Sequence, residues 1–211
     1  MSRPIDIVRC FHNAFRRDVS EIDALVLSNA RSSGDIEPVF NRLAILGEIL
    51  DYHARGEEVA VFPAIDKLTP HVAYPYLFDH RELDIMVSGL ESIRKAPDPL
   101  ITARATAVLQ SQLRIHLDKE DVHLYPILRE RTTDDEQILI GRGMSGKMPP
   151  DRIPVFVDWL FQLLNLSDQV IVIRSWMSMM PPPVFAKVKD LIRKNVGDNW
   201  VKISQQIPQL E

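Results

Sequence analysis

Two stretches of this chain are near copies of each other. Residues 53–63 read HARGEEVAVFP and residues 116–126 read HLDKEDVHLYP. Both follow the form His-x-x-x-Glu-acid-Val-x-aliphatic-aromatic-Pro. On an α-helix, positions i and i+4 lie about 40° apart around the axis and ~6 Å apart along it. The imidazole and carboxylate of each copy can therefore meet beside their helix. Whatever fold the chain adopts must place this polar pair twice.

The surroundings are helical. Val8, Phe11, Phe15, Val19 and Ile22 form a first stripe, which ends near Arg31 before Ser32-Ser33-Gly34. A second segment starts around Asp35 and Pro38. Its stripe is Leu43, Leu46, Leu50, Ala60 and Ala64, and it ends before Thr69-Pro70. A third runs from about Tyr74 to Lys95 through Leu77, Leu83, Val87 and Leu90. Asp98 and Pro99 supply an N-cap and a first-turn proline for a fourth, over roughly 99–131. Four helices with short connections predict an all-α, antiparallel up-down four-helix bundle over residues 1–131. Pro63 and Pro126 each remove a backbone hydrogen bond, so a kink or helix end is expected there, beyond the His and Glu.

Residues 132–150, with TTDDEQ and then GRGMSGKMPP, read as an exposed connector. Residues 151–211 read as a C-terminal helical extension. Asp151 and Ser167 are candidate N-caps for helices carrying Val155, Trp159, Leu160 and Leu163, then Val170, Ile173, Trp176 and Met177. Pro181-Pro182-Pro183 ends the second and opens a third, up to about Lys194. The WMSMM run reads as core filler. The extension is expected to pack on the bundle or to mediate self-association as a homodimer.

Charge and composition exclude several classes. The net charge is −4 with no basic run, which argues against nucleic acid as a partner. No apolar run approaches the ~20 residues of a membrane span, and MSRPIDIVRCF lacks the long apolar segment expected of a signal peptide. Cys10 is the only cysteine, so neither a disulfide framework nor a thiolate metal site is expected. The chain reads as a cytoplasmic, soluble protein with no membrane contact.

The direction of the duplicated pairs carries the functional reading. His53 and Glu57 share a line with Leu46, Leu50, Ala60 and Ala64, and His116 and Glu120 share one with Leu109, Leu113 and Ile127. His12 interrupts the first stripe and His80 the third. Each helix thus sends one histidine inward, and alternate helices add a glutamate. An unpaired ionised group in that position costs several kcal/mol. Six such donors in pseudo-twofold order suit two metal ions bridged by Glu57 and Glu120, with two histidines on each. A nitrogen-rich, sulfur-free set favours iron, with manganese and zinc as competitors. An oxo or hydroxo bridge from solvent is expected to balance two ferric ions.

The order His12, His53-x-x-x-Glu57, His80, His116-x-x-x-Glu120 resembles the hemerythrin-like (HHE cation-binding) family, over residues 4–131. The resemblance implies a left-handed four-helix bundle around a non-haem di-iron centre that meets a small diatomic or peroxide ligand. Oxygen-carrying members hold one histidine more, and reversible oxygen carriage is therefore not implied. Members with the present pattern look more like iron or oxygen sensors, nitric-oxide binders or peroxide-degrading proteins. If the centre turns over, disproportionation of hydrogen peroxide is the reaction to expect first. The rival readings are an iron-sensing or iron-binding module without turnover, and a structural helical module.

His123, seven residues beyond His116, and Tyr52, beside His53, are candidate supporting groups behind the ligands. Asp79 and Asp118 are candidates to orient a ligating histidine. His71, in the Thr69-Pro70 loop, is expected in solvent.

Overall fold

A computed structural model describes residues 3–32 and 35–210. The turn expected at Ser33-Gly34 falls outside the described residues, as do Met1, Ser2 and Glu211. The described residues contain helices and turns and no strand.

Four long elements make the bundle. Helix α1 (Ile7–Ser32) follows a 3-10 turn at Pro4–Asp6. Helix α2 (Glu37–Gly56) passes through a π turn, Glu57–Val61, into α3 (Phe62–Leu68). Helix α4 spans Tyr74–Arg94. Helix α5 (Pro99–Lys119) passes through a second π turn, Glu120–Leu124, into α6 (Tyr125–Arg131). As expected, Asp98 caps α5, its carboxylate accepting from the backbone N–H of Leu100 and Ile101. Neighbours pack in the cyclic order α1, α2, α4, α5 and back to α1, which closes the core.

Neither helix ends at its proline; a widened turn opens at each glutamate instead, and the His-to-Glu turns stay closed, the N–H of Glu57 meeting the His53 carbonyl and that of Glu120 the His116 carbonyl. The N–H of Phe62 donates to the carbonyl of Glu57, five residues back, and that of Tyr125 to Glu120. A proline cannot donate and crowds the preceding turn, and a widened turn immediately before it relieves the crowding. The extra residue rotates everything downstream. Val61 and Ile65 are fully buried where the α-period predicts Ala60 and Ala64, and Leu128 is buried where it predicts Ile127.

The stretch 132–150 is not an open connector. Thr133 and Glu136 form a capping box that starts α7 (Asp134–Ser145). Buried Gln137 ties this helix to the bundle: its carboxamide accepts from Ile5 N–H and donates to the carbonyls of Leu128 and Thr132. The glycines that suggested a loop permit close helix contact instead. A Cβ on Gly56 would stand 3.1 Å from the Met144 carbonyl oxygen, and one on Gly143 would stand 2.9 Å from Ala60 Cβ. Helix α7 thus lies directly on the first π turn.

The rest is helical: α8 (Ile153–Leu163), α9 (Leu166–Met179), α10 (Pro182–Val196) and α11 (Asn199–Gln206). The cap of α9 is Asn165, which accepts from Asp168 N–H, and not Ser167. A 3-10 turn at Pro150–Arg152 precedes α8, so Asp151 is no cap. The extension packs on α1. Trp159 Nε1 donates to buried Asp18 at 2.7 Å, Arg42 Nε donates to the same carboxylate at 2.6 Å, and the Trp159 ring meets Phe15 at 4.9 Å. No helix among the described residues is long and apolar enough to cross a membrane.

Candidate metal centre

The bundle brings all six inward donors of the sequence together. His12 (α1), His53 (α2), Glu57, His80 (α4), His116 (α5) and Glu120 are all buried, and His12, Glu57 and Glu120 have no exposed surface. Their donor atoms fall into two groups: His12, His53, Glu57 and Glu120, and Glu57, His80, His116 and Glu120. Within each group one ligand atom per residue lies within 4.8 Å of every other. The two glutamates belong to both.

The spacings fit cation binding. His53 Nε2 is 3.2 Å from Glu57 Oε1, and His12 Nε2 is 3.2 Å from His53 Nε2 and 3.6 Å from Glu120 Oε2. In the second group His80 Nε2 is 3.3 Å from Glu57 Oε2, and His116 Nε2 is 3.4 Å from Glu120 Oε1. Donors bound at about 2.0–2.2 Å to one first-row ion stand about 3.0–3.5 Å apart in adjacent positions. Glu57 Oε2, His80 Nε2 and both oxygens of Glu120 are buried without a hydrogen-bond partner among the described residues. Such atoms are costly unless something else satisfies them. The donor set therefore fits a bound cation.

Carboxylates stand behind three of the histidines. Asp121 Oδ1 meets His12 Nδ1 at 2.9 Å, Glu58 Oε1 meets His80 Nδ1 at 2.9 Å, and Asp79 Oδ2 meets His116 Nδ1 at 3.3 Å. Each fixes the proton on Nδ1 and turns the Nε2 lone pair toward the centre. Asp121 also accepts from Arg16 Nη2 at 2.6 Å, and Asp79 from Lys119. Among the described residues Asp118 meets Arg16 and no histidine. Glu58 and Asp121 are the second acids of the duplicated Glu-acid doublet. Each reaches across to the lone histidine of a neighbouring helix, a role the repeat contained and periodicity alone did not reveal.

His53 has no carboxylate at Nδ1 among the described residues. Phe15 lies against its ring, with centroids 5.2 Å apart. The expected supporting groups do not serve it. Tyr52 donates to Glu48 at 3.2 Å, and His123 is exposed on the second π turn. His71 is exposed, as expected. The phenol at the centre is Tyr125, whose hydroxyl donates to Glu57 Oε1. It occupies the aromatic position of the second copy. Phe62, its counterpart, stacks on His80 at 5.3 Å and can donate nothing to Glu120.

The electrostatics are correspondingly uneven without a cation. Burial pushes Glu57 up, but the His53 and His80 imidazoles outweigh it and hold the carboxyl well below its usual range. Glu120 is driven well above that range by burial and by the Glu57 charge. Burial lowers His80, yet Glu120, Glu57 and Glu58 together raise it to about 11. Burial takes His116 down to about 4, and His12 is lowered for the same reason. Burial and both glutamate charges push the Tyr125 phenol well above its usual value, which keeps it a donor.

A closed helical bundle with paired His-x-x-x-Glu turns converging on its axis defines a carboxylate–histidine cation-binding protein. A family model described as hemerythrin HHE cation binding domain matches residues 3–128, and the chain belongs to that family. It is 27% identical over 175 residues to zinc finger protein BRUTUS of Arabidopsis thaliana, a match covering 78% of this chain and 14% of that protein. A BRUTUS-like zinc finger protein of the same plant is 21% identical over 176 residues, covering 79% of this chain and again 14% of the relative. The chain thus spans about one seventh of the length of these relatives. Coverage of this extent reaches beyond residues 3–128. No solved structure matches the chain significantly. Family and donor set together make this a metal-binding type of centre.

Proposed function

We propose that His12, His53, Glu57, His80, His116 and Glu120 hold two iron ions. His12 and His53 would hold one ion and His80 and His116 the other, with Glu57 and Glu120, common to both donor groups, serving both. The protein then binds or reacts with dioxygen, peroxide or nitric oxide in a stress or sensing role. One observation carries this reading: the carboxylates common to both donor groups are buried, and three of their four oxygens have no hydrogen-bond partner among the described residues. When bound, an iron pair supplies Lewis acidity and redox capacity at positions open to a small ligand. The chain does the rest. Asp121, Glu58 and Asp79 aim three imidazoles. Tyr125 holds one oxygen of Glu57 and keeps a proton beside it. The burial of all six donors keeps bulk water from the centre.

Aerobic purification followed by metal analysis tests the centre. About two irons per chain and a visible absorption band are expected, and a protein purified from iron-replete cells with neither would sink the proposal. Oxygen evolution on adding peroxide, lost in His53→Ala, would identify turnover, whereas a spectral change of the reduced protein under nitric oxide would identify binding.

The unpartnered donor atoms favour a second reading, an iron-occupancy sensor. Cation loss would leave buried donor atoms without a partner, so metal binding would add directly to folding free energy. Marked unfolding on chelation, with no turnover of peroxide, would select it.

A further inference from the structure

Between the bundle and the extension lies a cavity of about 200 Å³ that no role above employs. Its wall is carbon and sulfur almost throughout, including Phe11, Phe156, Trp176, Met144, Met179 and Val188. His53, the donor with no carboxylate behind it, forms part of the wall. The lining reaches solvent at Arg142, Ser145 and Val184, all of which are exposed. Arg142 is tethered there by its Nε, which donates to the Met179 carbonyl at 2.9 Å. Its terminal nitrogens meet no carboxylate among the described residues.

An apolar cavity of about 150 Å³ stays dry and takes up benzene, so about 200 Å³ corresponds to about eight non-hydrogen atoms. Methionine-rich walls adapt to varied apolar shapes. A guanidinium with free donors recognises a carboxylate through paired, charge-assisted hydrogen bonds. We propose that this cavity binds a medium-chain aliphatic monocarboxylate, its alkyl chain against the methionine and aromatic wall and its carboxylate on Arg142. The wall accounts for the chain and the single tethered cation accounts for the head. Because His53 lines the same space, an occupant lies beside the candidate metal centre. The site itself requires no metal.

Calorimetric titration of the full chain with straight-chain acids from butanoate to dodecanoate tests this. Each added CH2 should tighten binding about fourfold, equivalent to about 0.8 kcal/mol, until about eight carbons, where the affinity levels off. The matching alcohol should bind about tenfold more weakly. Arg142→Gln should erase that difference and leave the alcohol unchanged. Val184→Trp, at an exposed position on the cavity edge, should abolish both with the melting temperature unaltered. Absence of saturable binding, affinity that climbs unchecked through dodecanoate, equal binding of acid and alcohol, or uptake of xenon alone would each overturn the assignment. The titration uses the protein as purified and metal content is quantified separately on the same sample, so its failure is distinct from a failure of the metal reading.

Discussion

The two His-x-x-x-Glu turns share a sequence pattern, a proline and a π turn, yet differ in what stands behind them. On the second, His116 is backed by Asp79, which Lys119 holds in turn, and Tyr125 spans to the opposite glutamate. On the first, His53 is backed by an aromatic ring and an apolar cavity, and Phe62 has no hydroxyl to offer. The two turns thus share their donors and differ in support, and the support is crossed: His53 lacks the carboxylate that His116 has, whereas Glu57 has the phenol donor that Glu120 lacks.

The sharpest way to break the comparison is to remove a shared donor. Glu57→Ala and Glu120→Ala should each abolish retention of iron at both positions, which metal quantification would read directly. Survival of one full ion in either variant would mean that the glutamates are not shared. Among the supporting carboxylates, Asp121→Asn and Glu58→Gln should each weaken iron binding about 10–100-fold, by the usual cost of losing a histidine's partner. Competition with a chelator measures this, and Asp118→Asn is the control expected to do nothing. In chelated protein the two glutamates should separate. Glu120→Gln, which replaces a buried acid lacking hydrogen bonds, should change stability by less than about 1 kcal/mol. Tyr125→Phe, which makes the second copy match the first, should cost about 1.5–3 kcal/mol by stripping a charged acceptor of its donor. Urea denaturation of the two variants decides it, and equal effects would erase the asymmetry. The smallest effect expected lies outside the centre. Burial, with Asp168 adding to it, pushes the Cys10 thiol up to about 12. At pH 8 the thiolate is then only about one part in ten thousand, and the native protein should resist thiol-specific alkylation until it is unfolded.

Much of this was legible because the relevant signals repeat. The four long helices follow the apolar periodicity and the Asp98-Pro99 start, and the six donors were found because each interrupts an inward stripe. The supporting acids were not. Glu58 and Asp121 sit one step around the helix from the inward line, where a carboxylate reads as solvated, and only the neighbouring helix brings a histidine to them. Tyr125 was hidden for a related reason, since an aromatic before proline reads as packing in both copies. Helix α7 was missed because Gly141, Gly143 and Gly146 resemble loop residues, whereas Gly143 together with Gly56 admits α7 against the first π turn. The cavity has no signature in sequence at all, because it is a property of how the extension fails to fill the space beside α1 and α2.

The π turns constrain how such a chain can vary in length. Each holds one residue more than an α-helix would need, and the buried face beyond it is set by that surplus. Deleting a single residue from 58–61 or 121–124 would let that turn close to α pitch and bring Ile65 or Leu128 to the position an unbroken helix buries, whereas inserting one more would swing the downstream segment by about 100°. Sequences of this lineage should therefore lose a residue from Glu57–Val61 or Glu120–Leu124 more readily than they gain one there.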